Sequence, residues 1–184
     1  KFGGTVIKNV AGYDVARLLA GSLGTLGVIV DVSIKVLPLP ASELTLRFAM
    51  DEKQALWQLN SWGGQPLPLS ASCWHDGELR VRLAGAEPAV EASAAVLGGV
   101  RESSAQAIRS WRDVREHQHS FFAGAMPLWR ISVPTNAAPL GLPGPQLIEW
   151  GGAQRWLRTD APAAQLRARA SELGGHAMLF RSAS

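Results

Sequence analysis

Three times beyond residue 41 the sequence repeats one order: a strand pattern, a helix pattern, Gly-Gly, and a second strand pattern. The first copy runs Leu44–Met50, Asp51–Trp62, Gly63-Gly64 and Leu69–His75. The second runs Glu78–Leu83, Pro88–Leu97, Gly98-Gly99 and a short strand, and the third Gln154–Arg158, Pro162–Leu173, Gly174-Gly175 and His176–Phe180. In each copy the glycine pair offers a residue free to take the left-handed conformation that ends a helix. Asp76-Gly77 joins the first two copies as a two-residue hairpin signal, and Leu79, Val81 and Leu83 then alternate with Arg80 and Arg82.

Two copies joined by a hairpin give β-α-β-β-α-β, the ferredoxin-like order. The later part is a less complete version, because the proline-rich stretch Pro134–Pro145 replaces one helix. Gly151-Gly152 turns the chain between Leu147–Trp150 and Gln154–Arg158. The fold class predicted is α+β, an antiparallel sheet with helices on one face, over residues 41–184. Leu37-Pro38-Leu39-Pro40 reads as a stiff connector, so a boundary is expected there, with a separate segment over residues 1–38.

That first segment reads differently. Residues 13–20 carry a short helical pattern, with Val15, Leu18 and Leu19 apolar, Asp14 in the first turn and Gly21 as the stop. Val28, Val30, Val32, Ile34 and Val36 then alternate with Asp31, Ser33 and Lys35, which predicts a strand. Between helix and strand lie Gly21, Gly24 and Gly27 at a three-residue spacing. A dinucleotide fingerprint runs strand, Gly-x-Gly-x-x-Gly, helix, so both spacing and order exclude it here. The absence of Gly-Lys-Ser/Thr excludes a phosphate loop of the Walker kind. What remains is a loop whose amides can line a phosphate or sugar edge, with the Ser22 and Thr25 hydroxyls as donors. A tight turn feeding a buried strand accounts for the same spacing.

Of the 184 residues 47% are hydrophobic and 18% charged, which fits a folded protein and excludes a disordered one. The formal charge of +3 comes from scattered arginines, with no basic block, so nucleic acid is not an expected partner. The one cysteine, Cys73, excludes an intrachain disulfide, fits a reducing compartment and reads as a small buried hydrophobe. No apolar run approaches the ~20 residues that span a bilayer. The seven tryptophans read as core or interface anchors.

His117-x-His119 cannot present both rings on one helical face, and no carboxylate or cysteine partners stand at metal spacing, so a solvated helix end is expected and no metal. No Gly-x-Ser-x-Gly elbow is present. Arg112 and Glu116 have the spacing of a surface ion pair. Arg130 and Arg155 are chemically suited to a substrate carboxylate, with a structural salt bridge as the competing role.

Lys8-Asn9-Val10-Ala11-Gly12-Tyr13-Asp14, followed by Leu18 through Ile29, resembles the latter half of the FAD-binding domain of vanillyl-alcohol-oxidase (PCMH-type) flavoproteins, within which bacterial glycolate oxidases and D-lactate dehydrogenases are nearest. Leu128–Pro134 and Ile148–Leu157 look specifically like the FAD-binding E-subunit family of glycolate oxidase, so the resemblance covers essentially the whole chain. It implies that residues 1–38 end a flavin domain and that residues 41–184 form a substrate cap. It also implies FAD contacts at Asn9, Gly12, Tyr13, Asp14, Gly21, Ser22, Gly24, Thr25, Gly27, Val28 and Ile29, with the loop and following strand acting through their backbone. The implied reaction is oxidation of glycolate to glyoxylate, the implied partners a paralogous flavin subunit and an iron–sulfur subunit, and the implied location cytoplasmic, including the inner face of the membrane. The family's earlier pyrophosphate loop and closing segment have no counterpart in these residues, so this chain alone is expected to hold FAD weakly or not at all. No catalytic base is assigned. A flavin dehydrogenase for another 2-hydroxy acid such as D-lactate, and a non-catalytic subunit-docking module, stay open.

Overall fold

The computed structural model describes residues 15–183. The chain divides into two compact units, residues 1–39 and 40–184. In the first, helix α1 (Val15–Leu19) is one turn long and stops at Gly21, whose φ of 81° is the left-handed stop expected of it. The predicted strand over 28–36 does not form. A strand is held by hydrogen bonds to a neighbour, and among the described residues none pairs with this segment. Its apolar row therefore faces solvent, with Val28 at 88% and Val30 at 93% exposure.

The second unit begins with β1 (Ser42–Ala49), α2 (Glu52–Gly63), β2 (Leu69–His75) and β3 (Glu78–Gly85), followed by α3 (Glu87–Leu97) and β4 (Val100–Arg101). Asp51 caps α2 through a reciprocal bond with Gln54, which satisfies donors the helix cannot. Asp76 and Gly77 both take positive φ, 48° and 78°, and turn β2 directly into β3 with His75 opposite Glu78. Helix α4 (Ser104–Arg115) and a 3₁₀ turn at Ser120–Phe122 lead into β5 (Leu128–Ser132). Then come β6 (Gln146–Glu149), β7 (Gln154–Arg158), α5 (Ala163–Glu172) and β8 (His176–Arg181). The glycine pairs behave unequally. Gly98 and Gly174 take positive φ after α3 and α5, whereas Gly64 stays right-handed at −85° because the chain leaves α2 into a loop rather than straight into a strand.

The eight strands form one sheet in the order β4-β1-β3-β2-β6-β7-β5-β8. Within the first four strands the order is 4-1-3-2, the ferredoxin-like arrangement. Reading inward from β8, the last four repeat it. The two halves join through antiparallel pairing of β2 with β6. In the second half a loop stands where the first has α2, as the prolines of 134–145 require.

Strand alternation assigns the two faces. Leu46, Leu79, Val81 and Leu83 pack with Leu59 and Trp62 of α2 and Val90 of α3. Trp129, Ile131 and Leu157 pack with Leu166 and Ala170 of α5. The register Trp74–Ile148–Arg155 puts both clusters on the same face. The opposite face carries Cys73, Leu128, Leu147 and Trp156, covered by Val114 of α4 and by Phe121 and Phe122. Helix α4, which lies outside the repeated unit, is thus the helix of the second face. Arg112 does not reach Glu116; it lies 3.9 Å from Asp113, and Arg115 pairs with Glu116 at 2.7 Å.

Candidate functional site

Of the residues marked for ligand contact, Asn9, Gly12, Tyr13 and Asp14 lie outside the described residues. Gly21, Ser22, Gly24, Thr25, Gly27, Val28 and Ile29 are described, and all but Ser22 are exposed. Gly24 and Gly27 take φ of 82° and 153°, which a side chain would strain, and a Cβ at either would meet open space. The glycines are thus required by backbone conformation and not by packing. The Ser22 amide donates to the Leu19 carbonyl and the Thr25 amide to the Ser22 carbonyl, while the amides of Gly24, Leu26 and Gly27 meet no acceptor among the described residues. Thr25 Oγ1 donates to the Ser22 carbonyl at 2.7 Å, so its proton is engaged inside the turn and the expected donor role falls away. An open loop with unpaired amides is chemically suited to an oxygen-rich anionic ligand.

The second unit presents another region. A cavity of about 1350 Å³ lies between α4 and the second face of the sheet and reaches the turn between β6 and β7, with Thr45, Arg82, Trp111, Glu149, Trp150 and Gln154 among its lining. Strand alternation sets a row of side chains on this face, of which Glu149 and Gln154 line the cavity. Arg47, Arg80, Cys73, Glu149 and Gln154 follow one another across the sheet in register, from β1 to β7. Arg80 contacts Glu78 at 2.6 Å and Glu102 at 3.7 Å, and Arg47 contacts Glu78 at 3.3 Å. Trp111 Nε1 donates to Thr45 Oγ1 at 2.9 Å, and the Arg82 guanidinium sits over the Trp111 ring.

At the far end of this row, Trp156 Nε1 donates to Glu149 at 2.6 Å and Gln154 Nε2 donates to the same carboxylate oxygen at 3.1 Å. Gln154 Oε1 in turn accepts from Arg130 Nε at 2.8 Å, and the Arg130 guanidinium lies over Trp150 at 5.8 Å. Trp150 holds a φ of 54°, unusual for a bulky side chain, and is 64% exposed. Sequence reading singled out Arg130 but missed Gln154, Glu149 and Trp150. The signal was present in the β7 alternation, which separates Gln154 and Trp156 from Arg155 and Leu157.

Arg155 has a different role. Its side chain is fully buried and donates to the carbonyls of Gly152 at 3.0 Å, Ala138 at 2.6 Å and Ala137 at 2.6 Å. Burial lowers its pKa, with Glu52 acting in the opposite sense. Each of its three nitrogens donates to a backbone oxygen, so it ties the 134–145 loop to the sheet, and its burial closes it to a substrate. The expected salt bridge is replaced by carbonyls.

His117 and His119 are packed against rings rather than fully solvated, whereas His176 is exposed. His117 stacks on Phe122 with ring centres 4.3 Å apart and meets Trp156 and Phe180 edge-on. His119 Nδ1 accepts from the Phe121 amide at 3.2 Å, which makes it the cap of the 3₁₀ turn. Burial pushes the pKa of both below the ordinary value, so the neutral rings are favoured. His75 Nδ1 donates to the Gln146 carbonyl at 2.8 Å. Among the described residues no cluster of three or more metal-ligating groups forms. Burial pushes the Cys73 thiol up to about 12, the state of an inert core residue. No helix among the described residues is long and apolar enough to cross a membrane.

Over 180 residues, 98% of this chain, the sequence is 46% identical to glycolate oxidase subunit GlcE of Escherichia coli (strain K12), the match covering 50% of that protein. A stretch of 44 residues is 48% identical to glycolate oxidase subunit GlcD of Bacillus subtilis (strain 168), 24% of this chain and 9% of that protein. A stretch of 46 residues is 46% identical to a D-lactate dehydrogenase of Anaerostipes hadrus, 25% of this chain and 10% of the other. The chain therefore spans about half the length of the curated relative it matches from end to end, and far less of the other two. No protein-family model matches it, and no solved structure does. The likeness to the E subunit read from the sequence thus extends along nearly the whole chain.

Proposed function

We propose that this chain is the cap-bearing portion of a glycolate oxidase subunit of the GlcE kind, taking part in flavin-dependent oxidation of glycolate to glyoxylate. The observation that carries the reading is the 46% identity over 98% of the chain to a protein named as a glycolate oxidase subunit. Support from the chain's own residues is the exposed glycine loop, whose Gly24, Leu26 and Gly27 amides meet no acceptor among the described residues and are suited to a pyrophosphate or flavin edge. Gly21 through Ile29 would then form one wall of an FAD site, together with Asn9, Gly12, Tyr13 and Asp14. FAD, when bound, supplies the redox chemistry and accepts the hydride from the 2-hydroxy acid.

The chain's own contribution is placement. The loop positions the cofactor through its backbone, and residues 41–184 act as the substrate cap. The apolar row of Val28, Val30, Val32, Ile34 and Val36 is shielded in the intact subunit by pairing into a sheet. The partners in this reading are the other glycolate oxidase subunits, a paralogous flavin subunit and an iron–sulfur subunit that carries electrons away. The complex sits in the cytoplasm or at the inner face of the membrane.

The test is purification of the full-length subunit, with and without Gly24→Val, followed by gel filtration and anaerobic titration with glycolate. The expected result is visible flavin that co-elutes with the unaltered subunit, falls away in the variant and is bleached by glycolate within the complex. A full-length subunit with no affinity for flavin overturns the reading. Bleaching by D-lactate but not glycolate replaces it with the dehydrogenase alternative.

A further inference from the structure

Four arginines project from strands β1, β3 and β5 onto the second face of the sheet, and they are not equivalent. Arg47 lies against Glu78, Arg80 against Glu78 and Glu102, and Arg82 within 3.9 Å of Glu43. Arg130 has no carboxylate within salt-bridge distance among the described residues. Its Nε is instead held by a neutral amide, Gln154 Oε1, at 2.8 Å. The orientation of that amide is fixed, because Gln154 Nε2 donates to Glu149 and Glu149 is itself fixed by Trp156 Nε1. Gln154 is 7% exposed, so the chain Trp156–Glu149–Gln154–Arg130 is a built support and not a solvated coincidence. On its other side the guanidinium plane rests over Trp150. One edge of the fork is thus used for aiming, and the two terminal nitrogens are left for something else. Gln154 and Trp150, its two supports, line the cavity.

We propose that Arg130 is the anchor of a small-carboxylate site, which binds a monocarboxylic acid bidentately beside the part of this cavity that Gln154 and Trp150 line, with Gln154 as positioning residue. A preoriented guanidinium matches a carboxylate with two parallel N–H···O bonds and loses little entropy in doing so. A neutral amide behind the fork orients it without neutralising it, which a glutamate there would do. Trp150, held in a left-handed backbone conformation and turned to solvent, stacks on the guanidinium and closes one side. The link to glycolate rests on the functional reading above, whereas the site itself rests only on these contacts.

The experiment is titration of glycolate, and of its uncharged analogue glycolamide, into the 184-residue chain, followed by tryptophan emission and calorimetry. The expected result is a saturable response to glycolate by both readouts and none to glycolamide. Arg130→Lys keeps the charge but not the fork and is expected to weaken binding at least about tenfold, the scale of a charge-assisted pair. Gln154→Leu weakens it by loss of aim, with an unchanged thermal midpoint in Arg130→Lys as the control for folding. A wild-type chain that gives no saturable response, or Arg130→Lys and Arg130→Ala chains that bind as wild type, overturns the proposal. A fork filled only by a partner subunit's side chain gives the first of these. Flavin retention does not enter these measurements, so failure here and failure of the flavoprotein reading are distinguishable.

Discussion

Arg130 and Arg155 sit on neighbouring strands with the same side chain, and neighbours alone separate their roles. Arg155 points to the helical face, where no water reaches it, and three carbonyls complete its hydrogen bonding. Removal of a buried guanidinium leaves those carbonyls without donors, and leaves the loop over 134–145 untied. Arg155→Met is expected to cost about 3 kcal/mol, read as a lower urea midpoint with an unchanged slope. Arg130 points to the other face and keeps its fork accessible. One step along a strand thus divides a structural cation from a candidate ligand anchor. Both residues stood out in the sequence as guanidinium groups, but their sequence neighbours could not tell carbonyls from an amide.

At the scale of elements, local chemistry specified most of the second unit. The β2–β3 hairpin follows from Asp76-Gly77 flanked by alternation, and Gly77 at φ 78° is where a side chain is disfavoured. Gly77→Ala is expected to destabilise the chain by about 1 kcal/mol through the turn alone, measured by denaturant unfolding, because a Cβ there meets open space. Gly175 is the contrasting case. Its φ is ordinary, but a Cβ would collide with the Ser132 carbonyl across the β5–β8 pair, so packing and not conformation requires glycine. From the sequence both read as conformational glycines, Gly77 in a hairpin turn and Gly175 in a pair that ends a helix. Period-two alternation over 28–36 was equally clear, yet it yielded no strand, because a pattern specifies which face is apolar and not where a partner strand stands.

For the whole molecule, the sheet order has a consequence for exchange. Strands β1 to β3 and β5 to β7 have partners on both sides or a full-length neighbour, whereas residues 28–36 have no strand partner among the described residues. In hydrogen exchange of the 184-residue chain, amides of 28–36 are expected to exchange as fast as an unstructured peptide, and those of β3 and β7 to be protected. On the functional reading, the 28–36 amides are expected to become protected in a full-length subunit. Rapid exchange there in both proteins counts against the pairing that the functional reading assigns to this segment.

What the sequence determined by itself is whatever depends on near neighbours: the strand–helix–Gly-Gly unit, the Asp76-Gly77 turn, the loss of a helix to the prolines of 134–145, and the likeness to the E-subunit family. Those are set by backbone preference and side-chain period, which act over a few residues. The tertiary structure alone decided that the halves meet through β2 and β6, that α4 covers the second face, and that His117 and His119 pack among aromatic rings. It also decided that Glu149, Gln154 and Arg130, from three strands, support one another. Strand register brings these side chains together, and register is a long-range choice made by burial of whole faces, which no local pattern encodes.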